Sequence, residues 1–144
     1  MPERTKPPLW FWVVAIVLLL WAIAGVVGFH IDLAMTATAR AKLDPYDRQF
    51  YVIRPRWFVP VYGVAVWTGL VGSFLLLARR DLARPLYVVS LAAALIMFGW
   101  MFAATDVIAH KGMLAAVGLP IFIWVICVFE IWLVGHAHRR GWVA

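Results

Sequence analysis

Residues 9–29 read "LWFWVVAIVLLLWAIAGVVGF", an unbroken apolar run with no charged side chain. About 20 helical residues cross the hydrocarbon of a bilayer, so this stretch is long enough to span it. Lipid offers no partner to backbone N–H and C=O groups, so the run is expected to be helical. "PERTK" (2–6) resembles the basic start of a secretory signal, and small residues follow in "TATARA" (36–41). The apolar run nevertheless exceeds the usual 7–15 residues of a signal core and reads as a membrane helix.

Three further stretches have the same character: 57–78, 86–105 and 113–135. The 144 residues are 65% hydrophobic and 14% charged, where a soluble domain carries about a quarter charged residues. The chain is too short, and lacks the alternation, for a closed barrel. The expected fold is all-α: one integral membrane domain over 1–144, a four-helix bundle with an outer loop at 30–56.

Charge placement predicts the topology. Arg4, Lys6, Arg79, Arg80, Arg84, Arg139 and Arg140 fall on one side of such a bundle. Arg40, Lys42, Arg48, Arg54, Arg56 and Lys111 fall on the other, diluted along the long loop and balanced by Asp44 and Asp47. Dense positive charge in short segments marks the cytoplasmic side, which places both termini in the cytoplasm. The net charge of +6 does not indicate nucleic acid, because no basic element exists to enter a groove. Membrane lipids and other membrane-protein subunits are the expected partners. Cys127 is the only cysteine, which excludes an internal disulfide and reads as a small buried side chain.

Within the loop, "LDPYDRQFYVIRP" (43–55) predicts a short amphipathic helix on the outer surface. Asp44 is placed to cap it, Pro45 suits its first position, and Asp47 strengthens its first turn. Tyr46, Phe50, Tyr51 and Ile53 supply its apolar area. Trp10, Phe11, Trp12, Trp57, Phe58 and Trp142 mark helix ends at the headgroup level. Pro120 is expected to bend the last helix or mark where its regular part begins.

Helices in lipid gain little from hydrophobicity and must associate by close packing. Ala65, Gly69 and Gly72 with Ser73 form a small-residue stripe on the second apolar stretch; Ala24 and Gly28 stand four apart on the first, and Ser90 and Ala94 on the third. Glu130, in "VICVFEIWLVG" (125–135), is an acid inside this apolar surround. Ser73 and Ser90 fall at its depth to within about one turn, so a neutral, hydrogen-bonding carboxyl is expected. Three readings stay open: a tie between helices, a docking point for a polar group of another subunit, and a proton-carrying carboxylate of a transporter.

Other chemistry is sparse. His30 with Asp32, and Asp106 with His110, are weak candidates for a metal at the outer surface. His136 and His138 flank the basic tail, where headgroups would meet them. No histidines face each other from helix interiors as a haem would need, and no catalytic set is legible, so no enzyme is expected. Trp21, Trp67 and Trp124 sit near mid-span on three helices, where they could contact a flat ligand such as a quinone or pigment, or a lipid; core packing is the plainer role.

The ends "KPPLWFW" (Lys6 to Trp12) and "RRGW" (Arg139 to Trp142) resemble those of small bacterial four-helix inner-membrane proteins often labelled sugar transporters. That resemblance implies the same fold but assigns no role to Glu130. The expected function is a non-catalytic accessory subunit of a larger membrane complex, respiratory or photosynthetic. The alternatives are a small homo-oligomeric transporter and a lipid- or pigment-binding module.

Overall fold

The computed structural model describes residues 5–144, the side chains of Phe50 and Ala115 excepted, so Arg4 lies outside the described residues. Seven helices follow one another: α1 (Leu9–Leu33), α2 (Ala37–Ala41), α3 (Pro45–Ile53), α4 (Phe58–Leu77), α5 (Ala83–Ala104), α6 (Val107–Lys111) and α7 (Met113–Arg139). No strand interrupts them among the described residues. Four are long and apolar enough to cross a membrane: α1, α4, α5 and the part of α7 from Ala116 onward. These spans suggest a multi-pass membrane protein.

The long helices pack in chain order, α1 on α4, α4 on α5 and α5 on α7. Glycines set how near the axes come. A Cβ on Gly72 would stand 3.2 Å from the Tyr87 ring and 3.5 Å from the Ala83 carbonyl, and one on Gly69 would stand 3.5 Å from Ser90 Oγ. The stripe of α4 therefore faces α5, with Ala65 and Ser73 buried in the same contact. On α1 the contact with α4 is made by Gly25 against Val66 and by Phe29 against Gly63. Gly28 faces the Tyr62 hydroxyl, whereas Ala24 is exposed.

α1 and α7 are not packed along their lengths. They meet by side chains, with Trp21 edge-on to Phe122 at 5.4 Å and Trp10 and Phe11 against Trp142 at 5.3 and 5.6 Å. The two terminal motifs thus touch each other. Around them lies the main core, where Phe11, Ala15, Leu18, Leu76, Tyr87 and Leu133 bring all four long helices together. A smaller cluster of Phe58, Ala65, Ala93 and Met97 joins α4 to α5 nearer the opposite end.

Both ends of the described chain lie beside the α4–α5 turn. Helix α4 stops in a paired cap: Arg79 N–H donates to Leu76 O and Arg80 N–H to Leu75 O, with Arg79 in the left-handed region at φ 60°. Helix α7 ends the same way on Gly141, φ 77°, with Trp142 N–H donating to Ala137 O. Arg79 then binds both tails, donating from Nε to Trp142 O at 2.6 Å and from its guanidinium to Thr5 O at 2.8 Å.

The opposite end is covered by the loop between α1 and α4. The Asp47 N–H donates to Asp44 Oδ1 at 2.9 Å, so Asp44 caps α3. From α3 and its flank, Arg54 makes a two-pronged pair with Asp32 at the end of α1. Tyr46 donates to Asp106 at 2.9 Å and stacks on His110 at 3.8 Å, and Lys111 pairs with Asp47 at 2.7 Å. The loop therefore straps α1 to the α5–α7 connection.

Candidate functional site

The gap between α1 and α7 leads into a cavity of about 440 Å³ whose walls come from all four long helices. From α1 it takes Trp21, Ala22, Ala24 and Gly25; from α4, Tyr62, Ala65, Val66 and Gly69. From α5 it takes Ser90, Ala94, Met97 and Phe98; from α7, Leu119, Ile123, Cys127 and Glu130. The cavity exists because small side chains face inward at mid-height, while the bulky core is concentrated beside the termini. Exposed Ala24 and Leu119, one on each of the unpacked helices, lie at its mouth.

Glu130 stands at the deep end and is 5% exposed. Helix α7 is continuous through Pro120, so Leu119 and Glu130 lie on one rod, ~16 Å apart at helical rise. Neither serine at its depth is given over to the acid. Ser90 donates to the Ala65 carbonyl at 2.6 Å, closing the hydroxyl onto the backbone of α4. Ser73 shares a 2.9 Å hydrogen bond with the Tyr87 hydroxyl, and that same hydroxyl stands within interaction range of the Glu130 carboxyl. Tyr87 is thus the link between α4, α5 and the acid.

Sequence reasoning overlooked Tyr87. The signal was present, since Tyr87 precedes Ser90 by three positions and so shares its helical face. Cys127, one turn before Glu130, is buried as its apolar surround implies and also lines the cavity. Among the mid-span tryptophans, Trp21 borders the cavity. Trp67 lies edge-on to His30 at 5.8 Å, and Trp124 packs between Phe98 and Phe102 with its ring N–H unpartnered. Neither Trp67 nor Trp124 is among the residues lining that cavity.

The histidine and carboxylate pairs are engaged elsewhere. Asp32 is taken by Arg54, Asp106 accepts from Tyr46, and His110 lies flat on the Tyr46 ring. Among the described residues no three His, Cys, Asp or Glu side chains gather as a metal would require. His136 stacks on Trp132 at 5.0 Å and meets Trp142 edge-on at 5.4 Å, close to the α7 terminus. No protein-family model, no curated protein and no solved structure matches the chain.

Chemically the cavity is an apolar slot with hydrogen-bonding capacity at its closed end. Val17 and Leu20 on α1 and Phe122 and Val125 on α7 are exposed on the two long helices that are not packed on each other.

Proposed function

We propose that this is a non-catalytic protein of the bacterial inner membrane that holds one lipid-soluble molecule in the cavity between α1 and α7. The observation that carries this is the cavity itself: small-walled, apolar, built by all four long helices, and ending on a buried acid. Its volume falls within the range of about 300–1,000 Å³ typical of small-molecule sites. Close packing would be expected to fill such a space, since helices in lipid are held by van der Waals contact and every gap forfeits some of it. Both termini lie on the cytoplasmic side in this reading, because Arg79, Arg80, Arg84, Arg139 and Arg140 cluster with them at one end.

The accessory-subunit reading draws on a different observation. Phe122, Phe129 and Trp132 form an exposed aromatic stripe along α7, suited to packing against another helix. The two roles are compatible, because a subunit of a larger complex can also hold a lipid.

Purification from native membranes in mild detergent, followed by solvent extraction and mass spectrometry, tests the binding role. One lipid-soluble molecule per chain is expected, and Ala94→Leu, which fills the slot, should lose most of it while retaining the helical signal. Equal content in both proteins contradicts the reading. A large partner retained in fixed ratio by both proteins adds the accessory role; solute flux by a lone oligomer in liposomes replaces it with the transporter role.

A further inference from the structure

Resting on the binding role above, we infer that the molecule is a lipophilic amine, its apolar body lying in the slot and its nitrogen at Glu130. The slot runs ~16 Å from mouth to acid along α7, which with its volume leaves a cross-section of roughly 30 Å², the width of one chain or one ring. Its walls select the body. Ala22, Gly25, Ala65, Gly69 and Ala94 present hydrocarbon and backbone, with little to receive the hydroxyls of a sugar or polyol.

The closed end selects the head. Among the described residues lining the cavity, Glu130 is the sole carboxyl, and no Lys, Arg or His lines it. The Ser90 hydroxyl is committed to the Ala65 carbonyl, and the Tyr87 and Ser73 hydroxyls share one hydrogen bond in which either can donate, so few donors are left for the acid. A protonated carboxyl donates one hydrogen bond and keeps acceptor capacity on its oxygens, of which the Tyr87 hydroxyl can answer one at most. A ligand that takes the carboxyl proton and returns an N–H hydrogen bond is therefore favoured, whereas a phosphate or fatty carboxylate would bring a charge that no Lys, Arg or His in the lining balances.

Charge balance favours an amine over a permanent cation. A neutral amine dissolves in hydrocarbon and brings no charge to the site. At Glu130 it accepts the proton of the carboxylic acid, giving ammonium and carboxylate in contact. One N–H bond forms, one O–H bond breaks, and the net charge of the site is unchanged. Charge-assisted hydrogen bonds of this kind are about twice as strong as neutral ones.

Two probes of equal length test the assignment on the full chain in phosphatidylcholine nanodiscs: labelled N,N-dimethyldodecylamine and labelled tridecanol. Equilibrium dialysis measures their binding, with empty nanodiscs subtracted. The amine is expected to saturate at one per chain, and Glu130→Gln, which keeps size and a hydrogen-bonding end, should weaken it at least tenfold while leaving tridecanol unchanged. Equal amine binding by both proteins overturns the amine assignment but leaves the cavity as a site for neutral lipids. Saturable binding of neither probe, with Ala94→Leu indistinguishable from the native chain, overturns the amine assignment together with the binding role. Thermal unfolding of the Glu130→Gln protein in the same nanodiscs separates lost affinity from lost fold.

Discussion

Tyr87 is 1% exposed and Ser73 is fully buried, and their hydroxyls bind each other where lipid and protein offer few substitutes. Removing one partner leaves the other short of a bond, which costs about 1–3 kcal/mol in a water-free interior. Serine in a helix can fall back on the carbonyl four residues earlier, which moderates the loss. Tyr87→Phe is therefore expected to lower stability in micelles by about 1 kcal/mol, and Ser73→Ala combined with it should cost less than the sum of the two. Additive effects in reversible unfolding would mean that the two side chains are not coupled. The acid was conspicuous in the sequence because charge is rare there, and the serines were legible by depth. Their actual partners were not, since depth along a helix says nothing of rotation about it. Ser90 and Ser73 share Glu130's level, yet one hydroxyl turns to the α4 backbone and the other to Tyr87.

Among the elements, the four long helices were plain from uninterrupted apolar runs, and α3 from an Asp-Pro start. The short helices α2 and α6 carry no such mark; Thr36 caps one, and Gly112, φ 89°, divides the other from α7. How α3 is tied down was also hidden, because its bonds to Asp106 and Lys111 bridge some sixty residues of chain. These ties titrate. The Asp47 backbone N–H holds the Asp44 carboxyl below its ordinary value of 3.8, and the Asp47 carboxylate holds the Lys111 ammonium above its ordinary 10.5. A lowered acid stabilises α3 above its unfolded value and ceases to do so as pH falls through the folded one; a raised lysine stabilises below 10.5 and ceases to do so as pH rises past it. The strap is thus expected to stay ordered across the neutral range and loosen at both extremes. Carboxyl-detected NMR should show Asp44 titrating below 3.8 together with loss of helical shifts over 45–53. Titration at or above that value would contradict the cap.

For the whole molecule, the side opening follows from where bulk and smallness fall. Helices α4 and α5 are drawn together by Gly69 and Gly72, and the large side chains Phe11, Leu76, Tyr87, Leu133 and Trp142 close the bundle beside the termini. At mid-height Ala22, Gly25, Ala65, Gly69 and Ala94 leave space behind the Trp21–Phe122 contact, where α1 and α7 are not packed backbone to backbone. The apolar runs in the sequence foretell the helices but not this space, because a cavity is a difference between packed volumes rather than a pattern along one strand of letters. An alkyl diazirine dissolved in the bilayer of nanodiscs, activated by light and mapped by mass spectrometry, reads it directly. Adducts are expected on Ser90, Ala94, Met97 and Cys127, each no more than 7% exposed, as well as on the outward-facing Val17, Leu20 and Val125. Adducts confined to the outward-facing residues, with those four untouched, would contradict a cavity open to hydrocarbon.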